Sequence, residues 1–339
     1  MDGECLLIGD IGGTNARFAL AARGAPSFRE ELTLRCADFE TAEAAIRHYL
    51  ESTGAVSPAV ICLAVAGPVV DRQVRFTNNH WRLSCDGLAA EFATDDVALL
   101  NDFEAIAYSI PLLGDGDFIS AGLLPPRPLA GVDFTICIVG PGTGLGASAL
   151  LGRGGRLVPV TGEGGHLGFA PETQLQMQVF ELLREQFDRV SDERIVSGPG
   201  LENLYCALRK LHGEPPARLS AKEIFDCAAT NCDARASEAL QLFFEVLGQV
   251  AGNLALAFGA WDGVCIGGGI VKRKPELLAN SRFREGFERK GRYRSMMEKI
   301  PTQIIMHPQP GLLGASFRAG EMWQRRRHAA AARELPSFP

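Results

Sequence analysis

The chain has 339 residues, of which 46% are hydrophobic and 22% are charged, and this composition is typical of a soluble globular protein with room for two domains. A formal net charge of −6 provides no basic field for a phosphate backbone, so we expect no nucleic-acid partner. Nine cysteines stand mostly in apolar runs without a CxxC pair or an HExxH motif, which predicts a reducing compartment and no zinc site. The acidic start MDGECLLIGD predicts a first strand and no signal peptide, so we expect a cytoplasmic protein.

The first third of the chain alternates strand and helix patterns, which predicts a mixed sheet with helices on its faces. The predicted elements are strands at 4–9, 16–22 and 28–34, a helix at 41–52, a buried strand at 59–66, a polar hairpin to Phe76, and a strand that ends in Asn101 and Asp102.

A Gly/Pro-rich stretch at 111–131 predicts a crossing between domains, after which strands resume. The later predicted elements are strands at 134–140 and 146–152, helices behind Thr173 and Pro199, a strand pair around 263–270 and 303–306, and a last helix from Leu312. The apolar stretch 237–260 has the length of a membrane span, but five polar residues interrupt it, so a buried helix is expected. Gly248 and Gly252 in this stretch predict the close approach of another backbone.

Two segments about 130 residues apart look alike. Residues 6–21 (LLIGDIGGTNARFALA) and 136–151 (ICIVGPGTGLGASALL) each contain an apolar strand, a Gly/Thr turn and a second strand of small residues. This similarity predicts a duplicated core. The alternative is that any glycine turn between two strands gives the same pattern.

Both glycine turns expose successive backbone N–H groups, which is what close approach to a phosphate oxygen requires. Neither turn is a Walker A loop, because the chain contains no Gly-Lys pair, and neither is a dinucleotide-binding turn, because each runs into a strand and not a helix. We therefore expect a phosphate held between two hairpins. A third cluster, GGGI at 267–270, leaves room for a flat adenine.

Asp10 lies between the first strand and Gly12-Gly13. A single carboxylate in this position is suited to hold Mg²⁺ through water, since Mg²⁺ on nucleotide phosphates keeps several waters and uses one or two carboxylates. The alternative is an aspartate that caps the turn.

Seven motifs in order resemble bacterial glucokinases of the hexokinase type, in the actin-like ATPase superfamily. They are DIGGTNAR at 10–17, LLNDFEA at 99–105, GPGTGLG at 140–146, GEGGH at 162–166, SGPGL at 197–201, GGGI at 267–270 and PGLLGA at 310–315. The resemblance covers about residues 5 to 320. The ROK sugar kinases share DIGGT but carry a Cys-rich zinc motif that is absent from this sequence.

The resemblance implies an α/β, two-domain actin-like ATPase (ribonuclease H-like) fold with mixed sheets flanked by helices and an active site in the interdomain cleft. The implied domains are 1–112 plus 308–339 and 113–307. It further implies ATP and D-glucose as substrates, Mg²⁺ as cofactor, no membrane partner and a homodimer.

The resemblance also assigns roles to single residues. The sugar-contacting positions are Asn101, Asp102, Glu163, His166, Glu193 and Asn78, with Asp102 as the catalytic base. The ATP-binding positions are Gly9, Asp10, Ile11, Gly12, Gly13, Thr14, Gly142, Thr143, Gly144, Gly268 and Gly269. The family's T-N-x-x-W segment occurs here as TNNHW at 77–81, so either Asn78 or Asn79 faces the sugar.

The chemistry requires such residues. Phosphoryl transfer passes through a loose transition state, so the protein must chiefly align a hydroxyl with the γ-phosphate, and a carboxylate at a strand end can orient that hydroxyl and take its proton. Taken without the family, the residue types favour a satisfied loop histidine at His166 and a solvated or helix-capping acid at Glu193. We expect an ATP-dependent glucose 6-kinase; the alternatives are a kinase for another hexose and a non-catalytic sugar or nucleotide sensor of the same fold.

Overall fold

The computed structural model describes residues 5–55, 57–76 and 79–333. The chain divides into two compact units, Met1–Leu113 with Pro308–Pro339, and Gly114–His307. We call them unit 1 and unit 2 and describe each by itself.

Thirteen strands and twelve helices occur in the described residues. The strands are β1 Cys5–Ile11, β2 Asn15–Ala21, β3 Phe28–Arg35, β4 Pro58–Val65, β5 Gln73–Arg75, β6 Arg82–Ser84, β7 Val97–Asn101, β8 Phe118–Ser120, β9 Phe134–Pro141, β10 Leu145–Arg153, β11 Arg156–Gly162, β12 Gly263–Ile266 and β13 Thr302–Ile305. The helices are α1 Ala42–Thr53, α2 Cys85–Phe92, α3 Asp102–Ser109, α4 Gln174–Gln186, α5 Gly198–Leu211, α6 Ala221–Thr230, α7 Ala234–Phe258, α8 Gly269–Lys272, α9 Pro275–Ala279, α10 Phe283–Glu288, α11 Arg294–Met297 and α12 Pro310–Arg333.

Unit 1 is built on a five-stranded sheet of order β3-β2-β1-β4-β7. β1, β2 and β3 are antiparallel neighbours, whereas β4 and β7 run parallel to β1. Strand β4 is buried along its whole length, as expected for a parallel strand with both faces covered. Leu7 and Leu63 share a hydrophobic cluster with Ile46 of α1.

Helices α3 and α12 pack on each other, and α12 also packs on β1 and β4. Gly314 allows this close crossing, because a Cβ at that position would lie 1.7 Å from the carbonyl oxygen of Ala105. The C-terminal helix is therefore part of the core of unit 1, although more than 190 residues of unit 2 separate it from α3 in sequence.

Unit 2 is built on a six-stranded sheet of order β11-β10-β9-β12-β13-β8. β9, β10 and β11 are antiparallel neighbours, and β12 and β13 run parallel to β9. From β11 to β13 this order repeats that of unit 1. In each unit the first strand (β1 or β9) has two antiparallel strands on one side and two strands parallel to it on the other. The shared order favours the duplicated core over a chance likeness of two glycine turns.

Helix α7 occupies the middle of the unit 2 core. In the described part of the chain it is the one helix long and apolar enough to cross a membrane, and 83% of its most apolar window is buried inside the protein. A Cβ at Gly248 would lie 1.9 Å from the carbonyl oxygen of Phe283, and one at Gly252 2.6 Å from that of Phe287. The two glycines thus admit the backbone of α10, which confirms the prediction of a buried helix in close contact with another backbone.

Candidate active site

The first glycine turn joins β1 to β2. Gly12 N–H donates to the carbonyl oxygen of Asn15 (2.9 Å), and the Thr14 carbonyl oxygen accepts from Cys36 N–H (2.9 Å), so both ends of the turn are held. Gly13 is half-buried and Thr14 is exposed. The structure therefore presents the predicted phosphate turn over residues 12–14.

Three of the predicted ATP-binding residues, Gly9, Asp10 and Ile11, lie within β1 and not in this turn. The Ile11 side chain is fully buried in the core cluster. Gly9 is buried between neighbouring strands, and a Cβ there would lie 2.8 Å from Leu63 Cδ2 and 3.0 Å from Phe18 Cδ1. Packing is thus a sufficient reason for glycine at position 9.

Asp10 is the last polar residue of β1 and faces the first turn of α12. A Cβ built on Gly311 would lie 3.1 Å from Asp10 Oδ2, so the absence of a side chain at position 311 leaves room for this approach. A carboxylate is favourable at a helix N-terminus because of the helix dipole. Burial raises the pKa of Asp10, and the nearby Arg17 opposes this rise.

The side chains of the described residues limit how Mg²⁺ could be held at Asp10. Within the described residues no cluster of three or more His, Cys, Asp or Glu side chains can hold a metal ion. A lone carboxylate still fits Mg²⁺ that is bound mainly by substrate phosphates and water. Asp10 therefore fits a water-mediated contact to a nucleotide-bound ion and does not fit an all-protein metal site.

The second glycine turn joins β9 to β10. Gly142 N–H donates to the Gly144 carbonyl oxygen (2.8 Å), and the Gly142 carbonyl oxygen accepts from Gly198 N–H at the start of α5 (2.8 Å). The other backbone groups at the start of α5 are also accounted for, because Pro199 has no N–H and Gly200 N–H donates to Ser197 Oγ (3.0 Å). The predicted phosphate turn at 142–144 thus adjoins the N-terminus of a 14-residue helix.

The third glycine cluster lies beside this turn. Gly267 N–H donates to the Val139 carbonyl oxygen (2.8 Å), and Gly268 has φ 91°. A Cβ at Gly268 would lie 2.2 Å from the carbonyl oxygen of Pro141. Glycine is therefore required at 268, and the structure brings the predicted adenosine side, Gly268 and Gly269, next to the second phosphate turn.

Asn101 and Asp102 stand at the junction of β7 and α3. Asn101 is the N-cap of α3: its Oδ1 accepts from Phe103 N–H (2.9 Å) and its Nδ2 donates to the Gly67 carbonyl oxygen (3.2 Å). Glu104 completes a capping box by accepting from Asn101 N–H (3.3 Å). The half-buried Asp102 is the first residue of α3, and its Oδ1 accepts from Phe103 N–H (3.0 Å).

Strand register places this junction at the same sheet edge as the first glycine turn. Val65 of β4 pairs with Ile11 on one side and with Asn101 on the other. The three strands are parallel, so their carboxyl ends meet at one edge, with two strand spacings, about 10 Å, between the outer two. Within unit 1, the predicted base Asp102 and the predicted phosphate turn at 12–14 therefore follow strands that end at the same edge of the sheet, with β4 between them.

The GEGGH segment of unit 2 lies flat against the start of β10. A Cβ at Gly165 would lie 2.0 Å from the Leu145 carbonyl oxygen, and one at Gly164 3.0 Å from Ala147 Cβ. The two glycines are thus needed for contact with the sheet. Both flanking polar side chains are more than half exposed, and His166 Nε2 lies 4.0 Å from Glu163 Oε2. The structure therefore brings Glu163 and His166 together, and their contact with a sugar stays a prediction.

Glu193 is attached to the end of the second glycine turn. Its Oε2 accepts from Leu145 N–H (2.9 Å), and a Cβ at Gly144 would lie 2.4 Å from the same oxygen. Glu193 therefore lies at the same end of β10 as the GEGGH segment and also supports the phosphate turn. This second role was not visible in the sequence, because Glu193 and Leu145 are 48 residues apart.

The TNNHW segment is described from Asn79 onward. Asn79 Nδ2 donates to the Gly12 carbonyl oxygen (3.3 Å), and its Oδ1 accepts from Trp81 N–H (3.1 Å). Asn79 thus ties this segment to the first glycine turn. Asn78, the predicted sugar contact, lies outside the described residues.

Asp192 is a residue of this region that sequence reasoning missed. It is buried (7% exposed), its N–H donates to the Leu167 carbonyl oxygen (2.9 Å), and it precedes Glu193. Burial raises the pKa of Asp192 to about 7, although the charge of Arg189 opposes the rise. Arg189 Nη1 in turn donates to the His166 carbonyl oxygen (2.7 Å). No local sequence pattern marks an aspartate that is buried only by tertiary packing.

Comparisons with known proteins cover nearly the whole chain. The family model described as Glucokinase matches residues 7–322. A glucokinase of Stenotrophomonas maltophilia strain K279a is 40% identical over 322 residues, which are 93% of this chain and 95% of that protein.

Similar chains also occur among solved structures. The chain is similar to the crystal structure of a glucokinase from an Antarctic psychrotroph, with TM-score 0.84 and 34% identity over 94% of this chain and 99% of that one. A ROK family glucokinase of Streptomyces griseus, solved in complex with glucose and AMPPNP, shares the fold alone, with TM-score 0.61 and 20% identity over 94% of this chain and 99% of that one.

Proposed function

Because the chain belongs to the glucokinase family, we propose that it transfers the γ-phosphoryl group of ATP to the 6-hydroxyl of D-glucose, with Asp102 as general base. The predicted fold class, mixed sheets flanked by helices in the actin-like ATPase manner, is confirmed. The observation that carries the residue-level proposal is the register Ile11–Val65–Asn101, which puts the first glycine turn and Asp102 at one sheet edge.

In this proposal the two glycine turns hold the phosphates. Gly13 and Gly144 have no side chain that would keep a phosphate oxygen at a distance, whereas the N–H groups of Gly12 and Gly142 already donate within their own turns. Gly268 and Gly269 are proposed to flank adenosine beside the second turn, where nothing lies within 4 Å of a Cβ built on Gly269. AMPPNP, a non-hydrolysable analogue of ATP, is the nucleotide in the Streptomyces griseus structure, which supports ATP as donor.

Mg²⁺ bound to the nucleotide would neutralise charge that develops on the phosphate oxygens. Asp10 is the residue proposed to hold it, through water, and a bound cation would offset the cost of burying the ionised carboxylate, which otherwise raises its pKa. The protein's own contribution here is to keep one carboxylate in place against the first turn of α12.

Asp102 is proposed to orient the sugar 6-hydroxyl and to take its proton as the O–P bond forms. The capping box fixes the backbone on which this carboxylate stands, because Asn101 and Glu104 satisfy two backbone N–H groups at the helix start. Asn101 Nδ2 donates one hydrogen to Gly67 and carries a second, which is the group proposed to donate to the sugar.

Glu163, His166 and Glu193 are proposed to bind the remaining sugar hydroxyls, together with Asn78. One carboxylate oxygen of Glu193 accepts from Leu145 N–H, and the other is assigned to the sugar. Asn79 has both polar ends engaged within the protein, which favours Asn78 over Asn79 as the sugar contact. A site of this kind rejects a sugar that lacks one hydroxyl, since a protein group that the bound sugar covers would be left unpaired.

An assay that couples ADP release to glucose addition tests the proposed function. We expect glucose-dependent ADP formation with glucose 6-phosphate as product, and a panel of mannose, fructose and amino sugars compared by kcat/KM measures the breadth of specificity. ADP release that is independent of glucose, or a higher kcat/KM for another hexose, would reject D-glucose as the substrate.

Cytoplasmic location and a homodimer complete the proposal, and both rest on the family relationship. Sedimentation equilibrium of the purified protein tests the second: we expect the mass of two chains, and a single-chain mass would contradict it.

A further inference from the structure

The C-terminal end of α6 is closed by a Schellman motif. Asn231 has a left-handed backbone (φ 54°, ψ 31°) and its N–H donates to the Ala228 carbonyl oxygen (3.3 Å). Cys232 N–H donates to the Cys227 carbonyl oxygen (3.0 Å). In this motif the residue that follows the left-handed residue packs its side chain against the residue five positions earlier, usually as an apolar pair. Here both members of that pair are cysteines.

The two thiols lie close enough for each to shift the pKa of the other. Cys232 is exposed and Cys227 is half-buried, so reagents in solution can reach the pair. Five other cysteines are buried: Cys36, Cys62, Cys85, Cys137 and Cys265.

The environment makes the two thiols unequal. The contact between the two thiols raises the pKa of Cys227 and lowers the pKa of Cys232. The thiolate is the nucleophilic form of cysteine, so Cys232 is the attacking thiol and Cys227 the resolving thiol.

We propose that Cys227 and Cys232 are an oxidative modification site at which a hydroperoxide forms a reversible disulfide. The Cys232 thiolate attacks the terminal peroxide oxygen; an S–O bond forms, the O–O bond breaks, and hydroxide or alkoxide leaves, giving a sulfenic acid on Cys232. The Cys227 sulfur then attacks the Cys232 sulfur, the S–O bond breaks, and the departing hydroxide takes the Cys227 proton to give water. Each peroxide is reduced by two electrons that come from the two thiols.

The backbone hydrogen bond of the motif holds the two cysteines beside each other, as a disulfide between them requires. A disulfide joins Cα atoms that are about 4.4–6.8 Å apart, and a direct hydrogen bond from Cys232 N–H to the Cys227 carbonyl keeps the two residues close. The functional consequence is protection of Cys232 from irreversible oxidation. A second peroxide would convert its sulfenic acid to a sulfinic acid, which is not reducible by thiols. The neighbouring Cys227 thiol reacts first and forms a disulfide, which is reducible.

Treatment of the folded, full-length protein with hydrogen peroxide tests this proposal. In the wild-type chain we expect the number of free thiols to fall from nine to seven, a peptide map to show a Cys227–Cys232 disulfide, and dithiothreitol to restore nine thiols. A disulfide that joins other cysteines, or nine thiols that remain free after treatment, would overturn it.

Single variants separate the roles of the two thiols. Cys227→Ser and Cys227→Ala should both accumulate sulfinic acid on Cys232 that dithiothreitol does not remove, and Cys232→Ser should leave Cys227 unoxidised. Cys206→Ser is the matched control: Cys206 is also half-buried, but its Sγ lies against the Ala217 carbonyl oxygen, so its loss should not change the outcome. Reversible Cys232 oxidation in both Cys227 variants would contradict the resolving role. None of these readouts uses kinase activity, so they are independent of the proposed function.

Discussion

The carboxylate of Glu193 accepts a hydrogen bond from the backbone N–H of Leu145 at 2.9 Å, and thereby joins the proposed sugar site to the second phosphate turn. A buried N–H that loses its acceptor costs about 1–3 kcal/mol. Glu193→Ala should therefore lower the free energy of unfolding by roughly that amount and raise the KM for both ATP and glucose.

Glu193→Gln distinguishes the two roles of this side chain. The amide oxygen can still accept from Leu145 N–H, so we expect near-wild-type stability and KM for ATP, with a raised KM for glucose. Glu181→Gln, on the exposed side of α4, is the control and should change none of the three. An ATP KM that rises as much in Glu193→Gln as in Glu193→Ala would show that charge, and not the hydrogen bond, supports the turn.

The second phosphate turn offers two glycines with different surroundings. Nothing lies within 4 Å of a Cβ built on Gly142, so Gly142→Ala should fold with an unchanged Tm. If this turn holds the phosphates, the added methyl group meets only the nucleotide, and the KM for ATP should rise at least about tenfold, a loss of roughly 1.4 kcal/mol of binding free energy. Gly144→Ala places its methyl against Glu193 and should lower the Tm as well. An ATP KM unchanged in Gly142→Ala would remove this turn from the nucleotide site.

The sequence predicted much of this architecture because its signals were local. Apolar runs that end in glycine turns marked β1, β2, β9 and β10, and a capping threonine marked α4, whose Thr173 hydroxyl accepts from Gln176 N–H. Strand β11 was missed because it is largely exposed and contains Pro159, features that are tolerated in an edge strand but weaken its pattern. The four short helices from Gly269 to Met297 were also missed, since four to six residues give no helical periodicity.

Within the candidate site, the residues missed were those whose surroundings form only on folding. The sequence predicted Asn101 as a sugar ligand but not as the N-cap that also binds the Gly67 carbonyl. The link between Glu193 and Leu145 and the burial of Asp192 depend on the packing of the Asp192–Arg194 turn against the GEGGH segment, which sequence spacing does not encode.

Asp192 makes stability depend on pH. Its pKa in the folded protein is about 7, against an ordinary value of 3.8, so the folded state binds a proton more tightly than the unfolded state. The resulting stabilisation is fully present below about pH 4 and is lost as the pH rises to about 7, with a total of up to about 4 kcal/mol.

Asp192→Asn removes this dependence. We expect the variant to be more stable than the wild type at pH 8 and to lose that advantage as the pH falls to 5, as measured by urea unfolding at both values. Asp188→Asn, at an exposed position nearby, should shift neither curve. A stability difference between Asp192→Asn and wild type that is the same at pH 5 and pH 8 would contradict the raised pKa.

Asp102→Asn tests the proposed general base. The amide can still hydrogen-bond the sugar and can accept from Phe103 N–H as Asp102 Oδ1 does, so we expect little change in the Tm or in glucose binding. It cannot take a proton, and removal of a general base lowers turnover by about 10²- to 10⁴-fold. The control is Asp95→Asn, at an exposed position just before β7, which should retain wild-type kcat. Measurement of kcat together with the Kd for glucose separates the two outcomes. A near-normal kcat in Asp102→Asn would exclude Asp102 as the base. A large loss of kcat with an unchanged Kd for glucose is the result expected if Asp102 takes the proton of the sugar hydroxyl.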